Sequence, residues 1–288
     1  MEVGKNNSEY PDKIEGGLRV KGGVRKISRR DEPLISVITV VRNGEDGIEG
    51  TVRSVIDQSY ENIEYIVLDG ASSDGTLDIV KRYEGRIDYW MSEPDSGVYD
   101  AMNKAVRVAS GDWIYFLGAG DILLNHLGRV AERLKDDRTI YYGDVYMPKL
   151  HKIYDGKYSS YKLMLRNICH QSIFYPKRLF EKYSFDTRYR IWADYVLNVK
   201  CHGDRDFRFA YLPILIAIFD DFEGISRNRF DAEVEKERKN LVKANFSKTL
   251  YWLFCMRLTT VNALEWLRLK ETLKSLLKRS AEQLMKIH

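Results

Sequence analysis

The sequence has no hydrophobic run long enough to cross a membrane. Its longest apolar run, LPILIAIF at 212–219, is far shorter than the roughly 18 residues that a spanning helix needs. The N-terminal residues MEVGKNNSEYPDK contain no apolar core of the kind that a signal peptide has, so we expect a cytoplasmic chain. The 288 residues, 44% hydrophobic and 31% charged, are typical of a globular protein with one large core or two modest ones.

Cysteine is also scarce, and two common nucleotide-binding motifs are missing. Cys169, Cys201 and Cys255 are odd in number and widely separated, which argues against a disulfide framework and against a zinc site. No G-x-G-x-x-G follows the first predicted strand, and no G-x-x-x-x-G-K-[ST] occurs anywhere. These absences exclude a dinucleotide cofactor and a P-loop.

Four strand-loop-helix units occupy residues 34–134. Their strands are continuously apolar, which predicts a parallel sheet with helices on both faces: LISVITVV at 34–41, IEYIVL at 63–68, IDYWMSE at 87–93 and WIYFL at 113–117. In such sheets ligands bind beyond the carboxyl ends of the strands, where this sequence places Asn43, Asp69, Asp95 and Asp121. A crevice lined by acids binds phosphates through a divalent cation, which points to a nucleoside diphosphate.

The second half of the chain continues this alternation. We predict a strand at TIYYGDVYM, 139–147, and a helix starting near Pro176, followed by the segment RIWADYVLNVKCHG at 190–203. From Phe230 onward the pattern is helical and unbroken, with Asp231 as a candidate cap.

Several of these segments together resemble family 2 glycosyltransferases, which are nucleotide-sugar-dependent enzymes with a GT-A fold. The resemblance covers roughly residues 33–226 and is carried by LISVITVVRNG, QSYENIEYIVLDGASSDGT, SEPDSGVYDAMNKAVRVASGDWIYFLGAGD and HQSIFYPKRLFEKYSFDTRYRIWADY. It is strongest to bacterial members that build O-antigen, capsule or other surface polysaccharides. It implies an α/β GT-A (Rossmann-like) fold, a mostly parallel sheet flanked by helices, with a C-terminal helical extension.

Composition, together with the resemblance, predicts that the chain has three parts. Residues 1–32 form an extended lead-in, and residues 33–228 form the catalytic domain. Within this domain, 33–125 is the nucleotide-binding half and 126–228 the acceptor half. Residues 229–288 form a basic amphipathic helical tail.

The resemblance also assigns the donor-binding residues. Asp69 matches the aspartate that contacts the nucleotide base, with Thr39 and Asn43 beside it on the first loop. The block D-x-G-x-x-D-A-x-N-K, between the nucleotide and the donor sugar, is matched by Asp95, Asp100, Asn103 and Lys104. Two simpler interpretations stay open: Asp69 as a loop carboxylate that bonds nearby backbone, and Lys104 as a solvated surface lysine.

The stretch IYFLGAGD, 114–121, departs from the family pattern. Where the family usually has Asp-x-Asp-Asp or Asn-x-Asp-Asp, Gly118, Ala119 and Gly120 leave Asp121 as the single acid. We expect Asp121 to hold Mn²⁺ or Mg²⁺ together with phosphate oxygens of the donor. Asp121 as the N-cap of a helix formed by the residues that follow, ILLNHL, is compatible with this role, since one side chain could do both at different oxygens.

On the acceptor side, the resemblance makes Asp194 in WADY the general base. Inversion by in-line displacement needs such a base opposite a stabilised leaving diphosphate. The alternative is that Asp194 pairs with Arg188 or Arg190. His170 and Gln171 match a block that lines the acceptor side of the pocket.

The tail concentrates the positive charge. From residue 236 to 288 there are twelve Lys and Arg against four acids, a net +8, whereas the whole chain carries +4. Apolar residues recur at helical spacing through Leu264, Leu267, Leu273 and Leu277, which suits an anionic membrane interface. The alternative is a helical hairpin packed on the catalytic body or on a second subunit of a homo-oligomer. Nucleic acid is not expected, because the rest of the chain is acidic.

The predicted function is transfer of a sugar, with inversion, from a nucleoside-diphosphate sugar to a hydroxyl of an acceptor glycan. UDP is the favoured nucleotide, and the acceptor of related bacterial enzymes is a sugar on a membrane-bound polyprenyl diphosphate. The alternative is a catalytically silent nucleotide-sugar-binding or scaffolding subunit, since the acidic motif is reduced to one residue.

Overall fold

The structure is a computed structural model that describes residues 13–29, 31–221 and 231–260. Within these ranges, no helix combines the length and the apolar character needed to span a membrane. Three predicted segments lie outside the described residues: the first twelve residues of the lead-in, the end of the acceptor half, and the tail from residue 261 with its leucine repeat.

The described residues form a ten-stranded sheet, ordered β1-β4-β3-β2-β5-β9-β7-β10-β6, with β8 paired to β7. Each parallel pairing joins four or seven residue pairs, and each antiparallel pairing joins only two or three. The strands are β1 (Ile14–Gly16), β2 (Ile35–Val41), β3 (Ile63–Asp69), β4 (Tyr89–Ser92), β5 (Trp113–Phe116), β6 (Ile122–Leu123), β7 (Thr139–Met147), β8 (Lys152–Tyr154), β9 (Ile173–Pro176) and β10 (Arg208–Ile218).

Helices cover both faces of this sheet. They are α1 (Glu45–Ile56), α2 (Thr76–Arg82), α3 (Val98–Val108), α4 (Leu127–Ala131), α5 (Ser160–Leu165), α6 (Leu179–Lys182), α7 (Ala193–Gly203) and α8 (Ala232–Asn245), with a 3₁₀ turn at His170–Ser172. In α1, Glu45 and Asp46 lie in the first turn and Arg53 in the last, as the helix dipole favours.

The four predicted strands pair in parallel, as the sequence predicted. β2 lies between β3 and β5, and β4 lies beyond β3. Their side chains alternate between two buried clusters, one on each face, with Ile38 and Phe116 in one cluster and Val37 and Tyr115 in the other. A strand that is buried on both faces needs an apolar residue at every position, which explains the continuous runs.

One local prediction was wrong. The residues after GAGD do not begin a helix, because Ile122 and Leu123 pair antiparallel with the end of β10 as β6, and α4 starts only at Leu127. Within the predicted lead-in, β1 pairs antiparallel with β4, a strand that the sequence pattern did not indicate. Both strands are too short to show a periodicity of their own, and each forms because a distant edge strand offers free backbone groups.

The predicted helix after residue 230 begins as expected and ends early. Asp231 caps α8 by accepting hydrogen bonds from the amides of Glu233 and Val234. The helix ends at Asn245, because Phe246 turns to extended backbone and its ring stacks on His202 with 4.5 Å between centroids. A second helical stretch occupies residues 248–260 and buries Phe254 against the main core.

Candidate active site

A cavity of about 690 Å³ opens at the carboxyl ends of β2 and β5. Its walls come from the loop after β2, the GAGD loop after β5, the start of α3, the 3₁₀ turn at 170–172 and the segment before α7. Four of the predicted site residues line it: Asn43, Asp121, His170 and Gln171. Residues that were not predicted to belong to the site also line it, among them Arg42, Asp46, Tyr99 and Asp220, together with Arg190.

Asp121 is buried in the wall of this cavity, with 3% of its surface exposed. Its Oδ1 accepts a hydrogen bond from the Asp220 amide at 2.8 Å. Its Oδ2 accepts hydrogen bonds from Gln171 Nε2 at 2.8 Å and from the Gly118 amide at 3.1 Å. Burial raises the pKa of this carboxyl to about 6, against the opposing effect of these hydrogen bonds and of nearby His170. Asp121 therefore does not cap a helix; it is a desolvated carboxyl that faces the cavity.

The glycines of the GAGD loop are required by its shape. A Cβ at Gly118 would lie 2.7 Å from Asp121 Oδ2, and Gly120 has φ 99°, which disfavours other residues. On the outer side, a Cβ at Gly47 of α1 would lie 2.8 Å from the Cα of Gly120. The loop thus packs closely around its own aspartate, and side chains at positions 118 and 120 would press against the carboxyl groups of Asp121 and Asp220.

These residues fit a divalent cation only in part. A carboxylate has about four lone-pair positions, and the three hydrogen bonds to Asp121 leave about one for a metal. Asp220 is the other acid near this position, since its Oδ2 would lie 3.1 Å from a Cβ at Gly120. Within the described parts of the chain, no group of three or more His, Cys, Asp or Glu is placed to hold a metal. Any cation here would need phosphate oxygens to complete its shell.

Asp194 lies behind the cavity wall at the start of α7. It is 5% exposed and accepts hydrogen bonds from the Tyr99 hydroxyl at 2.9 Å and from Asn167 Nδ2 at 2.6 Å. Burial, followed by the nearby Asp194 carboxylate, raises the pKa of Tyr99, so its hydroxyl keeps its proton and acts as the donor. Nδ1 of His170 lies 3.6 Å from Asp194 Oδ2.

The predicted alternative for Asp194, a pair with a nearby arginine, is wrong. Arg188 forms ion pairs with Asp186 at 2.8 Å and Glu237 at 3.4 Å. Arg190 is exposed and lines the cavity instead.

Asp69 and Asn43 belong to one hydrogen-bonded loop cluster. Ser72 links them, since its hydroxyl accepts a hydrogen bond from the backbone amide of Asn43 at 2.7 Å and donates a hydrogen bond to the Asp69 carboxylate. Asp69 also accepts from the Ser92 hydroxyl at 2.6 Å, and Asn43 Oδ1 accepts from the Ser73 amide at 2.8 Å. Asp69 thus bonds nearby backbone and hydroxyl groups and does not line the cavity, whereas Asn43 does.

Two residues of the predicted donor site serve the fold. Thr39 does not lie on the first loop. It is fully buried inside β2, where its hydroxyl lies 3.2 Å from the Tyr65 hydroxyl. Side chains alternate between the two faces of a strand, so Thr39 points away from the cavity that its neighbours Ile38 and Val40 line. Asn103 does not line the cavity either. Its side-chain Nδ2 donates a hydrogen bond to the Phe185 backbone carbonyl at 2.8 Å, and its Oδ1 accepts one from the Phe185 backbone amide at 3.0 Å. These two hydrogen bonds attach α3 to the acceptor half.

Two of the remaining residues of the block, Asp100 and Lys104, form an ion-pair cluster with Glu93 beside α3. Lys104 is not a solvated lysine: it lies 2.8 Å from Glu93 and 3.3 Å from Asp100, with 11% of its side chain exposed. Asp95 accepts from the Gly97 amide at 2.9 Å and lies against Gly70, where a Cβ would meet its Oδ2 at 2.3 Å. This cluster borders the loops after β3 and β4 and lies outside the cavity lining.

Comparison with known proteins decides the family. The family model "Glycosyl transferase family 2" matches residues 36–203, more than half of the chain. The protein belongs to glycosyl transferase family 2. This family 2 glycosyltransferase is 33% identical, over 213 residues, to the PGL/p-HBAD biosynthesis glycosyltransferase of Mycobacterium bovis, covering 71% of the chain and 83% of that relative. It is also 45% identical over 93 residues to the putative teichuronic acid biosynthesis glycosyltransferase TuaG of Bacillus subtilis, covering 31% and 37% of the two chains.

Solved structures confirm the GT-A fold of this glycosyltransferase. S. aureus TarS 1-349 in complex with UDP-GlcNAc matches 76% of the chain and 69% of its own, with TM-score 0.61 and 16% identity. The mannosyltransferase PcManGT from Pyrobaculum calidifontis, in complex with GDP-Man and Mn²⁺, matches 81% and 69% with TM-score 0.54 and 18% identity. At these identities the likeness concerns the fold alone.

Proposed function

We propose that this glycosyltransferase moves a sugar, with inversion, from a nucleoside-diphosphate sugar to a hydroxyl of an acceptor glycan in bacterial surface-polysaccharide synthesis. The observation that carries the proposal is one cavity lined by both the buried carboxyl of Asp121 and by His170, whose Nδ1 lies 3.6 Å from Asp194 Oδ2. We assign Asp121 to the donor side and Asp194 to the acceptor side. A single displacement needs charge stabilisation of the leaving group on one side and a proton acceptor on the other.

The donor side would bind the diphosphate. Asp121, with Asp220 nearby, would hold Mn²⁺ or Mg²⁺ against the phosphate oxygens, and such a cation supplies stabilisation of the charge that develops on the leaving diphosphate. Arg42 and Arg190 line the same cavity and would attract the anionic donor. UDP is the favoured nucleotide, in line with the UDP-GlcNAc complex of TarS.

The acceptor side would activate the hydroxyl. Asp194, which accepts hydrogen bonds from Tyr99 and Asn167, would act as the general base on the acceptor hydroxyl. Replacing Asp194 with Asn is expected to abolish turnover and to leave nucleotide binding within about threefold of the unmodified protein. Turnover that persists in Asp194→Asn would remove this residue from the mechanism.

The acceptor is proposed to be lipid-linked, and the tail to dock at an anionic membrane surface. In the helical stretch 248–260, Trp252, Leu253 and Met256 are 66%, 40% and 55% exposed. Lys248 and Arg257 flank these residues, and the stretch contains no acid. Exposed apolar side chains beside cations suit the surface of anionic lipid.

A panel of UDP-, GDP- and dTDP-sugars, each with and without Mn²⁺, tests the donor proposal by thermal shift. A donor at 100 times its dissociation constant stabilises the folded state by about 2.7 kcal/mol. Stabilisation by a UDP-sugar that depends on Mn²⁺, followed by an NMR assignment of inverted anomeric configuration in the product, would support the proposal. Binding without any transfer would favour the silent subunit, and no binding by any donor would contradict both.

A further inference from the structure

The two oxygens of the Asp121 carboxylate are not equally available to a ligand. Oδ2 accepts two hydrogen bonds, from Gln171 Nε2 at 2.8 Å and from the Gly118 amide at 3.1 Å. Oδ1 accepts one, from the Asp220 amide at 2.8 Å. Because a carboxylate oxygen has two lone pairs, these bonds saturate Oδ2 and leave one lone pair on Oδ1. A cation in this cavity would therefore bind Asp121 through Oδ1 alone.

Gln171 is the side chain among these three donors, and its amide is itself fixed in one orientation. It is 3% exposed, and its Oε1 accepts a hydrogen bond from the Cys169 thiol at 2.9 Å. Burial raises the pKa of this thiol, so it keeps its proton and acts as the donor. A flipped amide would place Oε1 against the carboxylate of Asp121, where two acceptors would face each other. The thiol thus favours the orientation in which Nε2 donates to Asp121.

The backbone that carries Gln171 is attached to the strand that leads into the GAGD loop. The buried Tyr115 hydroxyl of β5 donates to the Gln171 carbonyl at 2.7 Å, and its ring stacks on Phe174 with 4.7 Å between centroids. At the end of this strand Gly118 leaves room for the amide, since a Cβ there would lie 3.8 Å from Gln171 Nε2. Both partners of the hydrogen bond between Gln171 and Asp121 are therefore held by β5 and the loop after it.

We propose that Gln171 is a positioning residue of the donor site, which holds Oδ2 of Asp121 so that Oδ1 is presented to the cation and the diphosphate. The inference rests on the proposed function. It assigns Gln171, which the resemblance placed on the acceptor side, to the donor side. Hydrogen-bond partners of this kind keep a metal-binding carboxylate in one orientation. Without Gln171, the Asp121 carboxylate is free to turn about its Cβ–Cγ bond.

The first test needs neither metal nor donor. In ¹H–¹⁵N spectra of the full chain, one side-chain amide proton of Gln171 is expected to be shifted downfield, because its acceptor is a carboxylate. This shift should be lost in Asp121→Ala. The same amide shifts in the two proteins would overturn the inference.

The second test measures by EPR the dissociation constant of Mn²⁺ from the full chain in the presence of UDP. Gln171→Leu keeps a side chain of similar size that cannot donate, so this constant should rise about 10- to 100-fold. Binding of UDP without Mn²⁺ should change little. Ser172→Ala is the matched control, because Ser172 is 1% exposed in the same turn and its hydroxyl donates to the Cys169 carbonyl at 2.8 Å. It should lower the urea midpoint and leave the Mn²⁺ dissociation constant unchanged.

A third comparison does not depend on the folding of Gln171→Leu. Cys169→Ser keeps a donor for Gln171 Oε1, whereas Cys169→Ala removes it, so Mn²⁺ should bind at least about twofold more tightly to Cys169→Ser. Equal Mn²⁺ affinity of these two variants would contradict the inference where Gln171→Leu does not fold.

Two further outcomes would overturn the inference: a folded Gln171→Leu whose Mn²⁺ dissociation constant equals that of the unmodified protein, or an equal rise of this constant in Ser172→Ala. The second outcome would show that the turn matters only for its packing. Failure of the proposed donor site is distinct, because the unmodified protein itself would then bind Mn²⁺ no more tightly with UDP than UDP does alone.

Discussion

Asp121 is almost completely buried, and its charged form is stabilised by three hydrogen bonds and by nearby His170. Burial raises its pKa from 3.8 to about 6. Because the folded chain then binds this proton more tightly than the unfolded chain, the contribution of Asp121 to the free energy of unfolding decreases as the pH rises from about 4 to 6. The loss is about 1.4 kcal/mol per pH unit, and about 3 kcal/mol in total. A cation and a diphosphate would offset this cost.

The joint binding of Mn²⁺ and donor should therefore depend on pH. At pH 5 the Asp121 carboxyl is largely protonated and must release its proton to bind a metal, so affinity should fall about tenfold relative to pH 7.5. We expect the stabilisation by a UDP-sugar with Mn²⁺ to be about 1.4 kcal/mol smaller at pH 5, measured by urea unfolding. In Asp121→Asn the Mn²⁺-dependent part should be absent at both pH values. Equal stabilisation of the unmodified protein at pH 5 and 7.5 would contradict the assignment.

At the scale of elements, α1 packs against the GAGD loop through glycine. Gly47 faces the backbone of Gly120, whereas Gly50, one turn later, meets only Ile122 Cδ1 at an ordinary 3.4 Å. The two positions therefore respond differently to the same change.

Gly47→Ala should lower the free energy of unfolding by about 1 to 3 kcal/mol, because the added Cβ forces the helix and the loop apart. It should also weaken Mn²⁺-dependent donor binding, since that loop carries Asp121. Gly50→Ala should raise the free energy of unfolding by about 0.5 to 1 kcal/mol, because alanine suits a helix interior better than glycine. Urea unfolding measures both, and the same sign of change in the two variants would exclude the close contact.

The N-terminal segment is attached to the sheet by a buried ion pair. Arg19 pairs with Glu64, whose side chain is 3% exposed and also accepts from the Ser110 amide at 2.7 Å. Glu64→Ala should lower the free energy of unfolding by about 3 to 5 kcal/mol, because Arg19 would be left buried without its partner. Glu32→Ala removes an exposed ion pair with Arg29 and should change the free energy of unfolding by less than about 1 kcal/mol. Similar urea midpoints for the two variants would show that the Arg19 pair does not anchor the segment.

At the scale of the whole molecule, the described part of the tail is attached to the catalytic body. Arg238 of α8 lies over the rings of Trp192, Tyr195 and Phe254, and Tyr189 is hydrogen-bonded to Glu237. This packing matches the predicted alternative of helices packed on the body. It leaves Trp252, Leu253 and Met256 exposed on the outer face, so attachment to the body and docking to a membrane are compatible.

Trp252→Ser is expected to weaken binding of the full chain to anionic vesicles at least about fivefold in flotation assays, because it removes an apolar side chain from the docking face. Binding of the unmodified chain should also decrease as salt is raised from 0.05 to about 0.5 M, since salt screens the attraction between cations and lipid. Ile153→Ser is the matched control, because Ile153 is 59% exposed on β8. If the unmodified chain does not float with anionic vesicles, the tail does not dock at a membrane.

The sequence by itself determined the parallel half of the sheet, the strand at 139–147 and the start of α8. These follow from signals that neighbouring residues carry: continuous apolar runs, helical spacing and a capping aspartate. It also determined that polar groups meet at the carboxyl ends of the strands, because parallel strands end at one edge.

Only the tertiary structure decided which of these groups face the cavity. Thr39 points to the opposite face, Asn103 binds Phe185, and Asp220 comes from the end of β10 to donate to Asp121, 99 residues earlier in the chain. His170 approaches Asp194 from a separate element in the same way, with 3.6 Å between Nδ1 and Oδ2. Such contacts depend on the register and direction of side chains from distant segments, which no local periodicity specifies, because they are fixed by the packing of the whole sheet.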